Sequence, residues 1–345
     1  FDAAEASYRQ AIALNPNLAA AYLGYGWLLM EQERVAEQME MWQRAGRLDP
    51  LSPVHRTHGA FTVFRSGRLE EAEAELRMIL EQHPDFPPAH VILGEVLAGR
   101  GDQAGAIGHF RRALEMNPSL PLPHVGLIEA LLDLELDAAA EAALERAWSV
   151  PDLTEVGLGM EFLLHSESSP PSDETVARLW NQLPALAEAR PLRAAHAATV
   201  LHLREGAHAR AMDVIEAAEP RLAGDLEALS LDGLQRALYC PYAFALIQSG
   251  DTDRGRAVAR WVLDRIRTGP DYARRRHLDP IVCHTVLGET DRALAVLREA
   301  AESGVPSGWR FLAFRPELEA LRADPEYAGL VAKIRSEAER QRARL

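Results

Sequence analysis

The chain has 345 residues, 48% of them hydrophobic, and its 37 basic and 51 acidic side chains leave a formal net charge of −14. That charge disfavours nucleic acid, because proteins that neutralise phosphates present a basic face. No apolar run approaches the roughly 20 residues of a membrane span, and alanine and leucine outweigh the β-branched residues, so a soluble all-α protein is expected.

The first predicted element covers residues 1–16 and closes at Pro16. The same closure recurs at Pro50, Pro84 and Pro118, a constant step of 34 residues. The step also links Ala4, Gln38, Ala72, Ala106 and Ala140; Tyr8, Trp42, Leu76, Phe110 and Leu144; and Ala11, Ala45, Ile79, Ala113 and Ala147. A further column holds Gly26, Ala60, Gly94 and Ile128. A period of this length means stacked helical hairpins. Small residues let two helices approach where they cross, a large residue fills the space beside them, and Pro ends the second helix. Such a pair cannot bury its apolar stripe alone, so each unit needs neighbours.

These regular units are expected over residues 1–152, with the first reduced to its second helix because the chain opens at Phe1. Ala4, Tyr8, Ala11 and Ile12 then form a stripe that awaits a covering helix, and self-association of the chain is expected. Residues 153–172 read as an irregular connector, with Ser- and Pro-rich SESSPPS at 166–172. Degenerate hairpins are predicted over 173–304, with turns at Glu205–Gly206, Gly250–Asp251 and Gly288–Glu289 and one long helix from Leu226 to Ser249. Ala211, Gly255 and Ala293 follow their turn glycines by five residues, the spacing from Gly101 to Ala106. The tail, 305–345, breaks the pattern with Trp309, Phe311, Phe314 and Pro316 and is expected to cap the end of the stack.

Residues that carry chemistry are sparse. There is no HExxH, CxxC, phosphate loop or nucleophile elbow, so no catalytic residue, metal or cofactor is expected. Cys240 and Cys283 fall in different hairpins and read as two buried neutral thiols. Glu161 and His165 read as a surface hydrogen bond, and His90 and His124 as packing at a hairpin seam where they stack on each other. Arg254, Arg256, Arg260, Arg265, Arg267 and Arg274 to Arg276 interleave with aspartates and read as a solvated helix face.

Tyr22, Gly26, Trp42, Ala45 and Pro50 in one unit, and Gly94, Gly101, Ala106, Phe110, Ala113 and Pro118 in another, resemble the tetratricopeptide repeat. The resemblance covers residues 1–152 and implies a right-handed superhelix, an α-solenoid of antiparallel helix pairs. It also implies a concave groove lined by the first helix of each pair. Its candidate residues are Leu23, Trp27, Met30, Thr57, Phe61, Phe64, Val91, Glu95, Val125 and Glu129. Trp27, Phe61 and Phe64 are equally the kind of residue that packs a core. No basic residue stands in these columns, so a receptor for a C-terminal carboxylate is disfavoured. The function expected is a non-catalytic scaffold that holds a protein or an amphipathic or extended peptide, with basic residues of the partner meeting Glu95 and Glu129.

The tail resembles the closing segment of bacterial repeat regions that follow adenylate cyclase, kinase or winged-helix activator domains. The alternative function is therefore the sensory or regulatory C-terminal half of a signalling enzyme or transcriptional regulator whose effector lies upstream. A bacterial source is expected from 36 arginines beside the single Lys333. A cytoplasmic location is expected, any export signal belonging to an N-terminus not seen here.

Overall fold

The computed structural model describes residues 1–32, 34–150, 173–189, 191–224, 226, 229, 236–268 and 279–345. Among them are 18 α-helices and no strands. The regular half contains α1 (Asp2–Leu14), α2 (Ala19–Glu31), α3 (Val35–Leu48), α4 (Pro53–Arg65), α5 (Leu69–Gln82), α6 (Pro87–Gly99), α7 (Gln103–Met116), α8 (Pro121–Asp133) and α9 (Asp137–Trp148). Then come α10 (Asp173–Ala189), α11 (Pro191–Arg204), α12 (His208–Ala218), α13 (Arg236–Gln248), α14 (Thr252–Thr268), α15 (Asp279–Val286) and α16 (Thr290–Ser303). Two short helices of the tail are followed by α17 (Glu319–Arg322) and α18 (Pro325–Arg342). Successive helices pack in pairs, and the fold is an α-solenoid of helical hairpins.

The local chemistry explains the boundaries. Proline opens α4, α6 and α8, where its missing N–H is no loss and its fixed φ suits a first turn. The turns inside the hairpins need one left-handed residue, supplied by Gly67, Gly101, Gly206, Gly250 and Gly288. In the α8–α9 turn that place is taken by Glu135, at φ 53°.

Tyr22, His90 and His124 occupy one column, and each reaches back to the carbonyl of the proline that ended the previous unit. The Tyr22 hydroxyl donates to Pro16 at 3.1 Å, and Nε2 of His90 and His124 to Pro84 and Pro118 at 3.0 and 2.8 Å. Histidine therefore replaces tyrosine without loss of the contact. The expected stacking of His90 on His124 is corrected: the ring beside His90 belongs to His109, with centroids 5.1 Å apart.

The small and large columns interlock in the core. Ala72, Ala106 and Ala140 are fully buried, as is the Phe110 ring, which lies over both Gly94 and Gly126. A Cβ at Gly94 would stand 2.5 Å from that ring. Trp42 fills the corresponding space over Gly26.

The second half departs from the sequence reading in two ways. Leu229 lies outside any helix and the helix before the Gly250 turn is described only from Arg236, so one helix from Leu226 to Ser249 is not formed. Cys240 on α13 and Cys283 on α15 are joined in a disulfide, their Cα atoms 5.5 Å apart, and are not free thiols. Hairpin separation along the chain concealed that the first helices of adjacent hairpins lie side by side. The pair closes a loop of 43 residues, and losing such a crosslink costs about 2 to 4 kcal/mol. A reductant, or Cys240→Ser with Cys283→Ser, is expected to lower the thermal midpoint; a midpoint unmoved by both would mean that the crosslink does not form in solution. The SESSPPS stretch, Glu161 with His165, and Arg274 to Arg276 lie outside the described residues.

The tail does not merely sit on the last hairpin. It turns back across the hairpin turns of the regular half, and its buried side chains Val305, Trp309 and Leu312 join the same continuous core as Leu131, Leu132 and Leu134. Trp309 Nε1 donates to the Asp133 carbonyl at 2.8 Å, and the Gly308 amide to Asp133 Oδ1 at 2.8 Å. Gln341, buried on α18, donates to the Gly101 carbonyl at 2.7 Å and accepts from the Ala104 amide at 3.2 Å. The array is closed on itself.

Candidate functional site

An almost wholly apolar cleft of about 330 Å³ is formed by the first helices of consecutive pairs. Helix α2 contributes Trp27 and Met30, α4 contributes Thr57, His58 and Phe61, and α6 contributes Pro88, Val91 and Ile92. The start of α8, from Leu120 to Pro123, closes one end. A step of 34 residues brings these side chains to one face because each pair repeats the orientation of the one before it.

An aromatic cluster forms the deeper wall. Trp42 stands edge-on to Trp27, His58 and Phe61, with centroids 5.2, 4.6 and 5.9 Å apart. Trp27 remains 45% exposed at the rim, as does Leu122 at 62%. His58 Nδ1 donates to the Val54 carbonyl at 2.8 Å, and burial holds the His58 pKa below its ordinary value, so the ring is neutral at pH 7. Thr57 lines the cleft at 1% exposure, and its hydroxyl has no hydrogen-bond partner.

Five of the predicted groove residues, Trp27, Met30, Thr57, Phe61 and Val91, are brought together here. Phe64 is fully buried beside Phe61 and beneath Gly99, and so belongs to the interior. Leu23, Glu95, Val125 and Glu129 do not line the cleft. Glu95 and Glu129 are already engaged in interactions within the chain. Trp42, His58 and Ile92 also line the cleft but fall outside the fixed spacing on the first helix that defines the expected groove positions; Trp42 comes from the second helix, over Gly26. Pro88, Pro121 and Pro123, at the starts of α6 and α8, complete the lining.

A pair of histidines packs between α6 and α7. His90 Nδ1 lies 2.8 Å from His109 Nδ1, and since His90 Nε2 serves the Pro84 carbonyl, His109 is the donor between the rings. Burial, reinforced by His90, lowers the His109 pKa to about 4. A folded-state pKa below the unfolded one means that the unfolded chain takes the proton first, so stability is full above about pH 6.5 and falls as pH drops toward 4. With allowance for partial solvent exposure, the loss is about 2 kcal/mol. Denaturant melts between pH 7 and 4 are expected to show it, and His109→Gln to remove most of that slope.

Among the described residues no group of three or more His, Cys, Asp or Glu is placed to hold a metal ion, and no helix is long and apolar enough to cross a membrane. What the geometry defines is a superhelical array of hairpins carrying an apolar cleft on one face. A tetratricopeptide repeat family model matches residues 1–53 and 62–121, so the regular half of the chain carries repeats of that family. No curated protein matches it in sequence.

Solved structures share its fold. A tetratricopeptide repeat protein from Parabacteroides merdae is 14% identical, over 71% of this chain and 92% of that one, with a TM-score of 0.50. The Cut9–Hcn1 hetero-tetramer of the APC/C is 11% identical, over 95% of this chain and 58% of that one, with a TM-score of 0.58. The human IFIT1 dimer with m7Gppp-AAAA is 14% identical, over 98% of this chain and 84% of that one, with a TM-score of 0.53.

Proposed function

We propose that this protein is a non-catalytic scaffold that captures an apolar segment of another protein in the cleft between Trp27 and Leu122. The observation that carries the reading is an aromatic cleft almost devoid of polar groups, with Trp27 left open at its rim. An extended peptide would leave its backbone N–H and C=O groups unpaired against such a lining, at a cost of about 1 to 3 kcal/mol each. An amphipathic helix satisfies its own backbone and presents apolar anchors at i, i+3 or i+4 and i+7. The helix is therefore the better occupant. Basic residues on the partner have no role at Glu95 and Glu129, which stand outside the cleft and are engaged within the chain.

The known neighbours are consistent with protein binding in one case and with capped RNA in another. The RNA reading is not adopted, because the net charge is −14 and the cleft holds no arginine or lysine.

Trp27→Ala together with Phe61→Ala is expected to abolish binding of amphipathic helices selected against the parent, since hot-spot aromatics each contribute about 2 kcal/mol or more. Calorimetric titration with those peptides, beside far-ultraviolet circular dichroism, is the measurement. Equal affinity in parent and variant would overturn the cleft as the binding site.

A further inference from the structure

We propose that residues 304–345 act as a clasp that sets the width of the apolar cleft from its far side, an inference about regulation that rests on the cleft being the binding site. Helices α6 and α8 carry cleft residues at their N-terminal ends, Pro88, Val91 and Ile92 on one and Pro121 to Pro123 on the other. Their opposite ends run into the two turns that the tail holds. Gln341 and Arg344 grip the α6–α7 turn, through the Gly101 carbonyl and through Asp102 at 2.9 Å. Trp309, Arg310, Arg335 and Arg342 grip the α8–α9 turn: the first two bond the carbonyls of Asp133 and Leu132, and the arginines pair with Asp137 and Glu135. Each helix is a rod of about 20 Å, so one rigid tail fixes both rods at one end and thereby their separation at the other.

Two features show that this contact is written into the sequence. Gly101 and Gly304 cross backbone to backbone, both at positive φ, and a Cβ on either would stand about 2.8 Å from the other segment's backbone. Glu135 occupies a left-handed position that glycine fills in the five sister turns. A non-glycine residue there costs about 1 to 2 kcal/mol, and what it gains is a carboxylate for Arg335 at 2.9 Å and Arg342 at 3.4 Å. Arg335 and Arg344 have side chains 52% and 55% exposed, so part of the grip is open to screening by salt. Closure removes the spring-like freedom that an open stack of repeats retains.

The test uses Glu135→Gly combined with Gln341→Ala in the full chain. Glycine suits the turn, so the repeats keep their fold while the clasp loses four of its contacts. Spin labels on cysteines introduced at exposed Leu51, just before α4, and at exposed Leu122, at the start of α8, report the separation of two helices that line the cleft, and small-angle scattering reads closure. The expected result is a distance distribution shifted and broadened beyond that of the parent, with a larger radius of gyration, and the parent in high salt moving in the same direction. An unchanged distance distribution overturns the proposal whether or not the scattering changes. If the clasp variant does not fold, the parent's distances measured from low to high salt decide alone, and a constant width overturns it. Titration with the amphipathic helix then reads the cleft itself: a shift in affinity of about fivefold or more accompanies the change in width. A width that responds while the helix binds neither protein sinks the binding-site reading and leaves the clasp standing.

Discussion

Trp309→Ala is expected to destabilise the whole protein by about 3 to 5 kcal/mol, the range for truncating a large buried aromatic. Trp309 is 2% exposed, donates to the Asp133 carbonyl at 2.8 Å, and lies beneath the Arg335 guanidinium at 5.7 Å. Removing it opens a cavity in the core that the tail shares with α8 and leaves the Asp133 carbonyl without that donor. In a linear solenoid a lesion in the last segment frays that end and leaves distant repeats alone, since each unit contacts only its neighbours. Here the tail is bonded to turns some 175 residues earlier in the chain. The amides of α6 to α8 should therefore lose exchange protection together with those of α16 and α18. Thermal melts with hydrogen exchange decide between the two. Protection lost in the tail alone would mean that the closure contributes nothing to the repeats.

The repeats were legible because their geometry is local. A proline after a helix, a small residue five positions past a turn glycine and a large residue four after that small one are each dictated by neighbours within one hairpin. The turns at Gly206, Gly250 and Gly288 came from that spacing, and the described helices end and begin there. The closure was not legible, because Gln341 against Gly101 and Trp309 against Asp133 join parts of the chain that no periodicity connects. A trace was present in Glu135, the one hairpin turn among those described in which a left-handed position lacks glycine. The disulfide was hidden for the same reason: its partners lie on the first helices of two hairpins, and sequence distance between them says nothing of the 5.5 Å between their Cα atoms. At the cleft, counting positions on the first helix found Trp27 and Phe61 but placed Phe64 in the groove. Three residues fall short of a full 3.6-residue turn, so Phe64 stands about 60° round the helix from Phe61, and it packs there against Gly99.

Phe110→Ala should cost about 3 to 5 kcal/mol, and its coupling to Gly94 gives a sharper test of the register than the loss itself. The ring is fully buried and touches the bare backbones of Gly94 on α6 and Gly126 on α8, so it is the wedge that spaces two consecutive units. Gly94→Ala in the parent places a methyl 2.5 Å from the ring, closer than carbon atoms approach, so ring or helix must shift, at about 1 to 3 kcal/mol. With Phe110→Ala already in place the obstacle is gone, and the same Gly94→Ala change only raises helix propensity, by up to about 1 kcal/mol. The substitution is thus expected to change sign between the two backgrounds, a coupling of about 2 kcal/mol or more for residues in direct contact. Urea unfolding of the parent, the two single variants and the double variant measures it. Additive effects would show that Gly94 is small for a reason other than Phe110, and the pairing of small and large columns across the 34-residue step would have to be assigned anew.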